Sequence, residues 1–182
     1  MKYCSLILLL FYCIPGFCQP EKDALLKRDQ DIVKNKLILM HYLDNNVLHY
    51  FTSITKAEKD KGEGLAYFYK NLITNSPVAS PTVAEFLGYG NEVPANNADF
   101  FDTVFDKVFG ALINITQIYG YPSQERIKIV IDGKSYTPVV FVTRTVKIDA
   151  TVKRLFKSEY KIGNMTKGEY DTFKYFISNR TK

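Results

Sequence analysis

A long apolar helical repeat that stops at a glycine is the feature that most constrains the fold of this chain. Between residues 99 and 119 apolar side chains recur at intervals of three and four, as in a helix with one face in a core. Gly120 follows at once, and Pro122 lies two residues further on. Glycine adopts the left-handed conformation that ends many helices, and proline cannot continue a helix. The sequence therefore predicts a helix end at Tyr119.

The residues after this helix carry the strongest strand signal in the sequence. Residues 127–131 place an isoleucine at every second position, and Asp132 with Gly133 forms a typical two-residue hairpin turn. Residues 135–146 contain an unbroken apolar run, from which we expect a return strand buried on both faces. Pro138 lacks a backbone donor and is expected near a strand start, an edge or a bulge. The prediction is a hairpin near residues 127–146.

Helical periodicity covers most of the remaining chain. The predicted helices occupy residues 21–54, 65–73, 81–87, 150–161 and 167–178. Because Asp44, Asn45 and Asn46 have low helix propensity, the first of these segments forms either one helix or two. The sequence contains no linker long enough to separate two domains. We therefore predict a single α+β domain that is mostly helical, with one antiparallel β-hairpin.

Short motifs mark where several of these helices begin. Ser80 and Pro81 suit a helix cap and a first helical residue. Asp149 suits the cap of the helix that follows it. Thr166 and Glu169 have the spacing of a capping box, in which each side chain bonds the backbone of the other residue.

The first 18 residues have the pattern of a signal peptide. Lys2 supplies positive charge, residues 6–14 form an apolar stretch, and a proline and a glycine break it, so that cleavage is expected before Gln19. The stretch is short for a membrane-spanning helix. An uncleaved anchor, or a lipid on Cys18 or Cys13, remains an alternative. The sequence predicts an exported protein, periplasmic or secreted, whose domain begins at Gln19 and has no transmembrane span.

All three cysteines lie in this predicted leader. The 164 residues that follow therefore have no disulfide, no thiol nucleophile and no thiolate metal ligand. They retain 11 phenylalanines and 11 tyrosines, which is enough aromatic surface for a core that holds itself together. The absence of disulfides from an exported domain of this size indicates a bacterial source.

The chain is mildly basic, with a formal net charge of +5 that falls to +4 when Lys2 is removed. The densest basic group falls at helical spacing and consists of Lys153, Arg154, Lys157 and Lys161. Such a group is typical of a solvated helix face, and the alternative is a patch for an anionic surface or a nucleic acid. We expect no nucleic-acid partner.

The sequence lacks the common motifs of catalysis and metal binding. It contains no glycine-rich phosphate loop, no G-x-S-x-G and no H-E-x-x-H. His41 and His49 lie eight residues apart, whereas paired metal ligands on a helix are usually three or four apart. Asp99, Asp102 and Asp106 suit the start of a helix, where the dipole favours carboxylates. We therefore expect no metal and no cofactor.

The end of the chain resembles a known group of proteins. The segments IYGYPSQERI and KSEYKIGNMTKGEYDTFKYFISNR, with the apolar residues between them, resemble a group of uncharacterised exported proteins from Bacteroidota. In that group a helix ends at a Gly-Tyr/Phe-Pro-Ser element carrying Glu-Arg, an apolar strand follows, and a helical C-terminal segment ends near an arginine. The resemblance covers about the last third of the chain and implies a family without an activity. Relatives carry a histidine near the end of the apolar strand, where this chain has Val142-Thr143-Arg144.

The loop between the long helix and the hairpin holds most of the candidate site residues. Binding residues often lie on loops that rigid elements hold in place. The candidates are Tyr121, Glu125, Arg126 and Arg144. The simpler interpretation of Glu125 and Arg126 is a local ion pair that fixes the loop. We predict a non-catalytic protein that binds a protein, a peptide or an envelope component. The alternative is a weak or degenerate hydrolase that uses carboxylates and tyrosines.

Overall fold

The structure, a computed structural model, describes residues 19–59, 62, 64–89, 96–131, 133–144 and 148–180. In chain order the elements are α1 Gln19–Arg28, α2 Gln30–Ser53, α3 Lys56–Lys59, α4 Leu65–Thr74, α5 Val83–Leu87, α6 Asn97–Tyr119, β1 Val130–Ile131, β2 Lys134–Ser135, a 3-10 helix Pro138–Thr143, α7 Ala150–Lys161 and α8 Lys167–Arg180. The predicted signal peptide, the turn residue Asp132 and the predicted strand end at Val146 lie outside the described residues.

The predicted fold class is confirmed. Among the described residues most lie in helices, and the single sheet has two antiparallel strands. Val130 pairs with Ser135 and Ile131 with Lys134, while Gly133 turns the chain between them with a φ of +74°. In the part of the chain that the structure describes, no helix is long and apolar enough to cross a membrane.

The centre of the fold is the packing of α2 along α6. α1, α5 and the 3-10 helix also contact α6, so this helix has neighbours on several sides. The buried side chains of α6 recur at the predicted spacing and include Phe101, Val104, Val108, Leu112 and Ile115. α7 and α8 pack on each other, and the rings of Phe156 and Phe173 stack with centroids 4.5 Å apart.

The first helical segment is two helices, but the break differs from the expected one. It falls at Asp29, between α1 and α2, and helix α2 runs unbroken through residues 44–46. Asp44 is buried and paired with Arg144, with 3.3 Å between its Oδ1 and the arginine Nε. Tertiary contacts therefore outweigh the low helix propensity of this stretch.

The return strand predicted for residues 135–146 is wrong for residues 136–144, the part beyond Ser135 that the structure describes. β2 ends at Ser135, and the apolar run forms the 3-10 helix Pro138–Thr143. Pro138 opens that helix, where its missing donor costs nothing. Val139, Phe141 and Val142 are buried, so the run correctly indicated burial. A short apolar run does not by itself distinguish a buried strand from a buried helical turn.

The start predicted for the short helix α5 is also wrong. Ser80 and Pro81 precede the helix and are joined by a cis peptide bond. Thr82 is the cap: its Oγ1 accepts from the Glu85 backbone N–H at 3.2 Å, and the Glu85 carboxylate accepts from the Thr82 N–H at 2.8 Å. This capping box satisfies two backbone donors and fixes the first helical residue at Val83.

The predicted end of α6, both predicted ends of α7 and the predicted start of α8 are confirmed, whereas α6 begins at Asn97 instead of residue 99 and α8 ends at Arg180 instead of residue 178. α6 ends at Tyr119, and α7 occupies Ala150–Lys161 with the Asp149 side chain accepting from the backbone N–H of residue 152 at 2.8 Å. α8 begins at the Thr166 and Glu169 capping box, in which the Glu169 N–H donates to the threonine Oγ1 at 3.2 Å. These boundaries place the loop at residues 120–127 against the turn between α7 and α8.

Candidate functional site

The loop after α6 begins at a position that requires glycine. Gly120 has the predicted positive φ, at +77°. A Cβ there would lie 2.5 Å from Asn164 Nδ2 and 2.7 Å from Arg126 Nη1, which is closer than real Cβ contacts. Glycine is therefore needed both for the backbone conformation and for the approach of two polar side chains.

Arg126 ties the loop to the end of α6. Its guanidinium donates to the backbone oxygens of Tyr119 and Tyr121, each at 2.9 Å, and to the Asp23 carboxylate at 2.5 Å. The arginine side chain is 13% exposed. Carbonyl oxygens at a helix C-terminus lack intrahelical donors, and the negative end of the helix dipole stabilises a cation that lies close to it. Arg126 therefore braces the loop and joins it to α1.

A buried carboxylate holds the other side of the loop. Glu159, in α7, is 2% exposed. Its Oε2 accepts from the Tyr121 N–H at 2.8 Å and from Asn164 Nδ2 at 2.7 Å, while its Oε1 accepts from Lys22 Nζ at 3.3 Å. A buried charge is tolerated when it is paired and its oxygens accept hydrogen bonds. Glu159 therefore joins α1, the loop and the turn after α7.

The first residue of α1 takes part in the same network. Gln19 and Asn164 exchange amide hydrogen bonds, with Gln19 Nε2 2.6 Å from the asparagine oxygen and Asn164 Nδ2 2.9 Å from the glutamine oxygen. Gln19 Nε2 also lies 2.8 Å from a carboxylate oxygen of Asp23. We refer to Gln19, Lys22, Asp23, Arg126, Glu159 and Asn164 as the seam network.

Tyr121 points into the core. Its side chain is buried, and its ring lies 5.6 Å from that of Phe156 in a T-shaped arrangement. Burial, to which the nearby Glu169 carboxylate adds, raises the pKa of Tyr121 well above its usual value. The hydroxyl therefore stays protonated at neutral pH, and the residue contributes to packing at the base of the loop.

Glu125 lies on the opposite side of the loop, at the edge of a recess of about 360 Å³. The recess lies between the loop, the start of the 3-10 helix and the start of α8. Six of its eight lining residues are polar, and the lining consists of Gln124, Glu125, Thr137, Val139, Thr166, Gly168, Glu169 and Thr172. Glu125 is exposed and takes part in none of the ion pairs among the described residues. Its carboxylate is therefore available to a ligand.

Glu169 is the second carboxylate of this recess, and its oxygens are already bonded. Thr137 Oγ1 donates to one oxygen at 2.6 Å, and Thr166 Oγ1 donates to the other at 2.8 Å. The backbone N–H of Thr166 adds a third bond at 3.0 Å. Glu169 therefore joins the start of α8 to the residue before the 3-10 helix, which makes this wall of the recess rigid.

Arg144 does not line the recess. It follows the 3-10 helix and pairs with Asp44 of α2, which is 3% exposed. Burial raises the pKa of Asp44, and the neighbouring guanidinium opposes part of that rise. The structure thus separates the four predicted residues: Glu125 lies at the recess, Arg126 and Tyr121 hold the loop, and Arg144 pairs with α2.

The histidines and aspartates have separate surroundings. The His41 ring lies 4.1 Å from that of Tyr136, whereas His49 is exposed on α2. Asp99 lies in the first turn of α6 and accepts from the side chain of Asn96 at 2.8 Å, which fits the predicted role at the helix start. Among the described residues no three histidine, cysteine or acidic side chains are grouped closely enough to hold a metal ion.

Sequence reasoning missed most of the seam network. In the sequence, Glu159 has the pattern of an ordinary surface acid of a charged helix. Its partner Lys22 lies 137 residues before it, and its partner Asn164 lies 5 residues after it. The available signal was that Glu159 is the only acidic residue of α7 and would fall on a face with Phe156. Comparison of the chain with protein-family models, with curated proteins and with solved structures gave no match.

Proposed function

We propose that this protein works by binding, and that the recess beside Glu125 receives a cationic group of a peptide or protein partner. The observation that carries the proposal is the exposed Glu125 carboxylate at the edge of a recess of about 360 Å³. A free carboxylate beside threonine hydroxyls suits an ammonium or guanidinium group, which supplies several donors and a positive charge.

The support for a preformed site comes from the residues that fix its walls. Arg126 and Glu159 hold the loop from two sides, and Glu169 holds the start of α8 against Thr137. A ligand that enters a rigid recess loses less free energy to the ordering of the protein. The sequence-based expectation of an exported protein fits a partner that is a peptide, a protein or an envelope component.

The hydrolase alternative also has an observation in its favour. Glu125 and Glu169 line one recess, and many hydrolases of glycosides use two carboxylates. Against it, the oxygens of Glu169 accept three hydrogen bonds, Tyr121 is buried and Arg126 is bonded to backbone oxygens. Glu125 is then the single candidate with a free group at the recess, and binding is the function that we favour.

The test compares binding and turnover in the same preparations of the protein. We would measure the affinity for lysine- and arginine-containing peptides, and for the same peptides with glutamine instead, using the parent, Glu125→Gln and Arg126→Ala. Asp102→Asn, at an exposed position of α6, is the control for loss of one negative charge. Peptide, ester, glycoside and phosphate substrates would be screened alongside.

Preference for the cationic peptides that Glu125→Gln loses and Asp102→Asn keeps supports the proposal. Arg126→Ala should weaken binding only through its effect on the loop. Thermal unfolding of this variant measures how far the loss of Arg126 destabilises the protein. Turnover by the parent that Glu125→Gln abolishes would establish the hydrolase instead. Equal affinity for the cationic and neutral peptides would show that Glu125 does not select the ligand.

A further inference from the structure

The solvent face of α7 carries positive charge alone. The helix has four basic residues and one acidic residue, Glu159. The four basic residues are all exposed, and they are Lys153, Arg154, Lys157 and Lys161. Because Glu159 is buried and bonded inside the seam network, its charge faces inward. We call the row of four exposed basic residues the α7 ridge.

The charges of the α7 ridge are not neutralised by neighbours. None of its residues belongs to an ion pair among the described part of the chain. Arg154 makes one long hydrogen bond, 3.4 Å to the Thr151 hydroxyl. By contrast, Lys174 of α8 is paired with Asp171 at 2.8 Å. The ridge therefore presents a concentrated positive potential to any approaching partner.

An apolar recess lies on each side of this ridge. The recess between α7 and α8 has a volume of about 390 Å³, with Tyr170, Phe173 and Ile177 among its lining residues. The recess between α7 and α6 has a volume of about 330 Å³ and is lined in part by Ile113 and Leu155. Lys153 and Lys157 border the first recess, and Arg154 borders the second.

We propose that α7 is a docking surface for an acidic protein segment that carries large apolar side chains. Its carboxylates would pair with the α7 ridge, and apolar side chains on either side of them would enter the two recesses. This arrangement has the usual anatomy of a protein interface, with anchor side chains in pockets and charges that select and steer the partner. It lies on residues different from those of the Glu125 recess.

The shape of the surface favours a protein segment over a lipid bilayer. A helix that lies on a membrane inserts an apolar face into the lipid. Here Phe173 is 2% exposed and the other apolar lining residues are half-buried, whereas the cations are exposed. A partner that complements this shape must project apolar groups and carry anions between them, which a bilayer surface does not do.

The probes are a random copolymer of glutamate and tyrosine, polyglutamate, vesicles of anionic phospholipid and single-stranded DNA. Binding to the full chain would be measured at physiological salt, because low salt exaggerates attraction between exposed charges. Three double variants accompany the parent: Lys153→Gln/Lys157→Gln on the ridge, Ser158→Phe/Ser178→Phe to fill the recesses, and Lys70→Gln/Lys107→Gln as a control. All six positions are exposed.

The proposal expects the copolymer to bind roughly tenfold more tightly than polyglutamate, since only the copolymer offers ring anchors. The ridge variant should weaken copolymer binding about tenfold, and the control variant should leave it unchanged. The recess-filling variant should remove the preference for the copolymer and keep the weaker affinity for polyglutamate. Far-UV circular dichroism and thermal unfolding would verify that each variant is folded.

Equal affinity for the copolymer and polyglutamate would overturn the proposal, because the recesses would then play no part. The same conclusion follows if the control variant loses as much affinity as the ridge variant. Vesicle or DNA binding that needs Lys153 and Lys157, without any preference for the copolymer, would identify an anionic surface or a nucleic acid as the partner. Loss of peptide binding at Glu125 does not affect these results, so the two proposals fail separately.

Discussion

Replacing Glu159 by glutamine or by alanine tests whether the seam network contributes to stability as its geometry indicates. The two oxygens of this carboxylate have different partners: Oε2 accepts from Tyr121 N and Asn164 Nδ2, and Oε1 accepts from Lys22 Nζ. A glutamine can place its carbonyl oxygen at the Oε2 position and keep both of those bonds. Its amide group then faces the lysine, so the variant loses one ion pair.

The expected losses follow from this division. A hydrogen bond to a charged group contributes about 1.5–3 kcal/mol, and the Lys22 side chain, 13% exposed, can turn toward water. Glu159→Gln should therefore lower the free energy of unfolding by about 1–2 kcal/mol. Glu159→Ala also leaves the buried Tyr121 N–H and one of the two N–H groups of the Asn164 amide without an acceptor, so this variant should lose about 3–5 kcal/mol.

The measurement is urea unfolding followed by far-UV circular dichroism, with Lys22→Met and Lys22→Met/Glu159→Gln as companions. The double variant should be at least as stable as Lys22→Met alone, because replacing the carboxylate as well removes the buried charge that Lys22→Met leaves unpaired. If Glu159→Ala costs no more than Glu159→Gln, the bonds to Tyr121 and Asn164 do not stabilise the fold. The seam network would then be an incorrect description.

Four further outcomes are expected. Thr166→Ala should lower the free energy of unfolding by about 1 kcal/mol, and an unchanged denaturation midpoint would contradict the capping box. Gly120→Val should cost more than the roughly 1–2 kcal/mol of a strained φ, because its side chain also meets Asn164; a wild-type melting curve would refute this. Burial raises the pKa of Asp44 above 3.8, so the folded state keeps the proton of this carboxyl to a higher pH than the unfolded state does. The contribution of Asp44 to stability therefore increases as the pH falls through the folded-state pKa toward 3.8. Asp44→Asn should lack this increase when melting is measured as a function of pH. We predict that mass spectrometry of the protein recovered from the envelope or the medium will find Gln19 as its first residue, and an intact Met1 would contradict the predicted cleavage.

Local signals in the sequence predicted most of the helices and many of their ends, but neither α3 nor the break between α1 and α2. The end of α6 could be read from Gly120 because the backbone conformation and the missing Cβ are properties of one residue and its neighbours. The caps at Asp149 and Thr166 are equally local, since each bond spans three residues. Where a boundary depends on bonds within one turn, residue types at fixed spacing carry enough information.

Conformation that depends on distant contacts could not be predicted in the same way. The apolar run after Pro138 indicated burial. Whether this run forms a strand or a 3-10 helix depends on its packing against α6 and α8. The continuity of α2 at Asp44 depends on Arg144, 100 residues later. The recess beside Glu125 combines three segments, and no spacing within one of them reveals it.

The seam network also has a consequence for the order in which the chain folds. Helix α1 buries one residue, Leu26. The side chains of the seam network that bond the polar residues of α1 lie 103 to 145 residues further along the chain. Contacts of such high sequence separation form late because a long loop must close first. We therefore expect α1 to attach after α6, α7 and α8 have packed. Lys22→Met, which removes one of these contacts, should then speed unfolding and leave the folding rate nearly unchanged.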